Sequence, residues 1–271
     1  MNSLSLPIPP HEAAKNILKN LSGHRMRDVL EKRFGLKGGK KKTLEAIGQQ
    51  YKITRERVRQ IEAEALKQAR RPDNIKEAEA LLNKISEHIA EYGEVMPEDR
   101  LFGTLVENRA IPHIAFLLDV GSAFHALPET EYHHKRWTIN KATAESVEGI
   151  MGAVVRELEE GRTNVPEKEL DAMIAKHATY FVGSVPDEKV RRVWLATSKV
   201  IRKNPYGEYG LAKWPLINPA GVKDKAYGAL MKAGHPLHFR EVAEAIDQAG
   251  WTKKKAHPQT VHNELIKDSR F

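Results

Sequence analysis

The run Thr54-Arg55-Glu56-Arg57-Val58-Arg59-Gln60-Ile61-Glu62 holds the densest set of side chains able to read a nucleic acid. At about 100° per residue, Val58, Ile61 and Ala65 fall on one helical stripe, which predicts a face packed on neighbouring helices. Arg55, Arg59 and Ala63 lie nearly opposite, flanked by Glu56 and Gln60. That polar face matches base-edge chemistry. Arginine donates two hydrogen bonds to guanine O6 and N7, glutamine pairs with adenine N6 and N7, and glutamate accepts from cytosine N4. Arg55 and Glu56 stand in the first turn, the end that enters a major groove first. Thr54 at the cap and Arg57, which points aside, are read as phosphate contacts. So are Lys37, Lys40, Lys41 and Lys42 in the loop upstream, because phosphate contacts position a protein without specifying a sequence.

These side chains need a frame, and the preceding residues supply one. A helix is expected over His11–Asn20 and a second over Arg25–Phe34, where Met26, Val29, Leu30 and Phe34 share one stripe. Gly35 stops it. Thr43 caps a short helix with Leu44, Ile47 and Tyr51 inward. Lys52 and Ile53 make a turn, Thr54 caps the longer helix, and Arg71-Pro72 ends it. This is a helix-turn-helix in outline.

Charge supports a polyanion partner for this part of the chain. The 271 residues carry a net charge of +8. The first 71 residues hold 17 Lys/Arg against 7 Asp/Glu, and the remainder holds 27 against 29. All the net basicity therefore lies around the motif. The absence of cysteine excludes disulfides, thiol catalysis and Cys-ligated zinc. No apolar run approaches the roughly 20 residues of a membrane helix, and Met1–Pro10 lacks a secretory pattern. A cytoplasmic, nucleoid-associated protein is expected.

The rest of the chain repeats one punctuation, at Gly93–Glu98, Gly161–Glu167 and Gly234–Phe239. Each follows an amphipathic helix, expected over Asn74–Tyr92, Thr143–Glu160 and Lys223–Ala233, and each precedes a shorter one. The first two modules continue with a further helix and a strand pair: Ile111–Val120 then Phe124–Ile139, and Asp187–Thr197 then Lys199–Trp214. Helix, turn, helix, helix, β-ribbon is the order of a winged helix. The third module runs out before a ribbon and is expected to be truncated. The fold class is thus mainly α, with tandem helix-turn-helix and winged-helix modules carrying short β-ribbon wings. The expected domains are 1–71, 72–140, 141–217 and 218–271.

Two stretches resemble known families. Residues from about His11 to Arg71 resemble region four of sigma-70-type RNA polymerase sigma factors. The matching words are Arg27-Asp28-Val29-Leu30, Arg33-Phe34-Gly35-Leu36, Thr43-Leu44-Glu45-Ala46-Ile47-Gly48 and Thr54–Glu62. The resemblance implies that Arg55, Glu56, Arg59 and Gln60 read a minus-thirty-five promoter element and that the domain docks on the polymerase β flap. The chain departs from the family in its Lys-rich loop and in lacking an aromatic-rich segment like sigma region two. Without that segment it is not expected to melt a promoter alone. Ala220–Phe271 resembles the HARE-HTH domain of the polymerase delta subunit, through Lys225-Ala226-Tyr227, His235–Val242 and Thr260–Leu265. Lys253, Lys254, Lys255 and His257 lead into its third helix and are read either as secondary nucleic-acid contacts or as a solvated charge run.

Other chemistry is set aside. Gly38-Gly39-Lys40 lacks the first glycine, the following Ser or Thr and the strand of a phosphate-binding loop. His125, His133 and His134 lack a helical histidine pair at metal spacing. No Gly-x-Ser-x-Gly elbow occurs. The expectation is a non-enzymatic transcription regulator or RNA polymerase accessory factor with no cofactor, metal, membrane or small-molecule substrate. Its partners are double-stranded DNA and the polymerase core. The alternative is an interaction protein that docks on the β flap without sequence-specific DNA binding.

Overall fold

A computed structural model describes residues 4–105, 108–251 and 254–270. The chain is mainly helical with small antiparallel sheets. It divides into two compact units, residues 1–130 with 134–145, and residues 131–133 with 146–271.

The first unit opens with α1 (Pro10–Lys19), α2 (His24–Phe34), α3 (Leu44–Tyr51) and α4 (Arg55–Ala69). Their boundaries follow local chemistry. Pro10 stands at the first turn of α1, where its missing N–H costs nothing. Gly35 ends α2 at φ 75°, and a Cβ there would lie 2.5 Å from the Gly39 carbonyl oxygen. The hydroxyls of Thr43 and Thr54 accept from the N–H groups of Ala46 and Arg57, at 3.1 and 3.2 Å.

The long helix expected over Asn74–Tyr92 is divided. Pro72 starts a short turn, α5 (Pro72–Ile75). A 3-10 turn follows at Lys76–Ala78, and then comes α6 (Glu79–Glu91). The strand β1 (Val95–Pro97) leads to α7 (Glu98–Leu105), α8 (Ile111–Val120), β2 (His125–Leu127) and β3 (Arg136–Thr138). The sheet order is β1-β3-β2, all antiparallel, with Met96 and Ala126 opposite Trp137 on either side. Sequence reasoning took Val95–Pro97 for punctuation. It is the edge strand of the wing, where Pro97 removes no needed donor. Gly93 and Glu94, at φ 83° and 64°, turn the chain into it.

Within this unit the first two helices pack against α8. The rings of Phe34 and Phe116 meet edge to face at 5.3 Å. Arg70 donates through Nε and Nη2 to the Asp119 carbonyl, at 3.1 and 2.9 Å. His113 Nε2 bonds the Leu36 carbonyl at 3.1 Å, and burial holds this imidazole below its ordinary pKa.

The second unit repeats the pattern. α9 (Lys141–Gly161) enters from the first unit, followed by β4 (Val165–Pro166), α10 (Glu167–Val182), α11 (Glu188–Leu195), β5 (Ile201–Lys203) and β6 (Glu208–Leu211). The sheet order is β4-β6-β5, the same as in the first module. Trp194 of α11 is buried. Three helices close the chain: α12 (Val222–Ala233), α13 (Phe239–Ala249) and α14 (Pro258–Lys267). They pack around Ala226, Ala229, Val242, Ile246 and Val261. His238 and Glu241 form a reciprocal capping box at the start of α13. Among the described residues after α14 there is no strand.

Candidate nucleic-acid interface

The helix-turn-helix rests on a small apolar core. Val29, Ile47, Val58 and Ile61 are buried together, with Met26, Leu44, Tyr51 and Ile53 packed against them. The turn between α3 and α4 is tight. Lys52 adopts a left-handed conformation at φ 53°. At Gly48 a Cβ would stand 2.7 Å from the Ile53 carbonyl oxygen, so only glycine lets α3 approach the turn this closely.

With Val58, Ile61 and Ala65 inward, α4 presents Arg55, Glu56, Arg59 and Gln60 to solvent. They are not independent. Arg59 donates through Nε and Nη2 to the two oxygens of Glu56, at 2.9 and 2.7 Å. The hydrogen bond from Arg59 holds the Glu56 carboxyl below its ordinary value. Arg57 Nη1 donates to Gln60 Oε1 at 3.0 Å. The helix face thus carries two side-chain pairs, Glu56 with Arg59 and Arg57 with Gln60, leaving Arg55 at its leading end.

Lys37, Lys40, Lys41 and Lys42 are all exposed, on a loop folded back along the end of α2. The Lys42 N–H donates to the Lys32 carbonyl at 2.9 Å. Lys37 Nζ lies 2.7 Å from Glu31 Oε2.

Sequence reasoning missed the residue that ties this loop to the helix. Arg33 donates through Nε to Glu62 Oε1 at 2.8 Å and through Nη1 to the Lys42 carbonyl at 2.7 Å. One guanidinium thereby holds the lysine loop against α4. Twenty-nine residues separate Arg33 from Glu62, so no periodicity could have paired them. A second buttress was missed as well. The Tyr51 hydroxyl donates to Asp28, and Lys32 Nζ lies 2.5 Å from the same carboxylate. Burial alone would raise the Asp28 carboxyl. Lys32 and Tyr51 outweigh it and hold the group below its ordinary value.

The other candidate contacts lie in the second unit. Lys254, Lys255 and His257 are exposed ahead of α14, whose N-cap is His257. Lys253 falls outside the described residues. His133 is buried and bridges to the Ser198 backbone, while His125 lies in β2. Among the described residues no three His, Cys, Asp or Glu side chains are placed to hold a metal ion. Among the same residues no helix is long and apolar enough to cross a membrane.

Comparison with known proteins finds likeness in the N-terminal part. Residues 18–71 match the family described as Sigma-70, region 4. An RNA polymerase sigma factor SigA1 of Synechococcus elongatus is 51% identical over 72 residues, covering 24% of this chain and 18% of that protein. SigA of Clostridium acetobutylicum is 40% identical over 84 residues, covering 28% and 22%. RpoD of Neisseria gonorrhoeae is 47% identical over 62 residues, covering 23% and 10%. The chain therefore spans about a fifth or less of the length of these relatives, and the likeness lies in the helix-turn-helix part.

Proposed function

We propose that this protein is a non-enzymatic, DNA-binding transcription regulator or RNA polymerase accessory factor of the bacterial nucleoid and cytoplasm. It reads a promoter-like minus-thirty-five element with α4. Arg55, Glu56, Arg59 and Gln60 contact base edges in the major groove, and Thr54, Arg57 and the lysines at 37, 40, 41 and 42 contact phosphate. The observation that carries this reading is the exposed polar face of α4, held by a threonine cap and a packed helix-turn-helix of the sigma-70 region 4 type. The basic excess confined to the first 71 residues supports it.

The remaining chain is read as two winged-helix modules, 72–140 and 141–217, and a HARE-type module at 218–271. Lys254, Lys255 and His257 serve there as secondary contacts. The β flap of RNA polymerase is the protein partner. Modules on one chain act together because tethering raises the effective concentration of each at its site.

The test is fluorescence anisotropy with a duplex carrying a minus-thirty-five-like hexamer and a scrambled duplex, across a salt series. The intact chain is expected to prefer the hexamer. Arg59→Ala with Gln60→Ala should erase that preference while leaving salt-dependent binding. An unchanged preference in that variant would remove the base-reading roles. A second reading, docking on the polymerase flap without sequence readout, is favoured by the nearly balanced charge beyond residue 71. It predicts capture of RNA polymerase by the intact protein and equal affinity for both duplexes.

A further inference from the structure

The two winged modules share a strand order and differ in what the third helix faces. In the first, α8 buries Ile114, Ala115, Phe116, Leu117, Leu118 and Val120, and it lies against α1 and α2. A helix committed to a core in this way cannot enter a groove. In the second, α11 buries only Val193 and Trp194 and leaves Glu188, Lys189 and Arg192 exposed.

Charge follows the same division. From the third helix through the wing, residues 111–138 hold two Lys/Arg against three Asp/Glu. Residues 187–211 hold six against three. One of the six is committed within the module, since Arg191 forms a two-pronged bond with Asp171. Two others converge from different elements. Arg192 of α11 and Lys203 of β5 both reach Glu167, with Nη2 3.3 Å from Oε1 and Nζ 2.7 Å from Oε2, and the same Arg192 Nη2 lies 2.6 Å from Glu188 Oε1 one turn earlier in α11. All three side chains are open to solvent, at 60%, 45% and 44% exposure in the order Arg192, Lys203, Glu167. A helix and a wing strand thus already grip one anion in the open. A carboxylate oxygen pair is the nearest protein counterpart of a phosphate's oxygens. Beside them, Arg202 Nε donates to the Lys199 carbonyl at 3.2 Å, which holds a further exposed guanidinium at the root of the wing.

We infer that α11 and the β5–β6 wing form a second duplex-DNA contact surface, which grips the phosphate backbone through Arg192 and Lys203, flanked by Lys189 and Arg202. Such contacts add affinity and register without reading sequence. Glu167 competes with phosphate for both cations and Glu188 competes for Arg192, so the two carboxylates together set how tightly the surface binds. The inference extends the proposed DNA-binding role to a module that the region 4 likeness does not reach.

The experiment uses the intact chain and a labelled duplex lacking the hexamer, titrated across a salt series. Replacing both cations, Arg192→Ala with Lys203→Ala, is expected to weaken binding about tenfold or more at low salt. It should also flatten the log–log salt slope by about 2, roughly one for each lost phosphate contact. Glu167→Gln removes the competing charge and is expected to tighten binding several-fold, an outcome that damage to the fold would not produce. An unchanged slope in the double variant overturns the inference, as does an unchanged or weakened affinity in Glu167→Gln. The hexamer preference of Arg59→Ala with Gln60→Ala is read separately. Failure of base reading by α4 therefore leaves the result at α11 interpretable.

Discussion

Glu56 and Arg59 are bonded to each other before any DNA arrives, so base reading by either must exchange an internal pair for an external one. The exchange is cheap because both side chains are more than half exposed, where water screens the pair. Asp28 sits in a different setting. Its carboxylate accepts from Tyr51 and pairs with Lys32 while mostly covered. A carboxyl held below its ordinary pKa contributes stability that is complete above the unfolded value, near 3.8, and is lost as pH falls through the lower folded value. Asp28→Asn is therefore expected to cost about 1–2 kcal/mol at neutral pH, as the loss of charged hydrogen bonds does. The gap from the unaltered protein should narrow below pH 3.8. Chemical denaturation at a series of pH values measures it. A gap that is constant with pH would show that the charge contributes nothing.

At the scale of elements, the helix-turn-helix depends on its turn. Gly48→Ala places a methyl 2.7 Å from a backbone oxygen that cannot retreat without moving α4. A loss of about 1–3 kcal/mol is expected, as for other overpacked sites. Lys52 is the converse case. It holds a left-handed conformation at φ 53° with an exposed side chain, so Lys52→Gly is expected to stabilise by about 0.5–1 kcal/mol. Thermal unfolding of the two variants should shift in opposite directions. Equal shifts would mean that the turn does not set the approach of α3 to α4. The short wing strands also belong to this scale. Val95–Pro97 and Val165–Pro166 were missed because two or three residues show no period, and pairing with β3 and β6 alone makes them strands.

At the scale of the whole molecule, the first unit packs α8 against α1 and α2 beside the small core of the helix-turn-helix. Phe116 is fully buried and meets Phe34. Phe116→Ala is expected to cost about 3–5 kcal/mol, the usual loss for a buried aromatic ring. Hydrogen exchange should show α1, α2 and α8 losing protection together. Protection retained in α1 and α2 would mean that the helix-turn-helix folds independently of α8.

Local chemistry written in the sequence determined much of the helix-turn-helix. Thr43 and Thr54 announce helix starts because a hydroxyl satisfies an N–H two or three residues on, and Gly35 announces a stop because it alone tolerates a left-handed end cheaply. The stripe Val58, Ile61, Ala65 chose which side of α4 faces inward, and so which side chains face out. The same reasoning reached the helix-helix-ribbon order after β1 and again after β4. Tertiary structure decided the rest. The tie from Arg33 to Glu62 and Lys42 joins residues that no local rule relates. The opposite fates of α8 and α11 also lay beyond sequence pattern. An apolar third helix and a basic one both read as third helices, and which of them keeps a face toward solvent depends on what other segments of the chain pack against it.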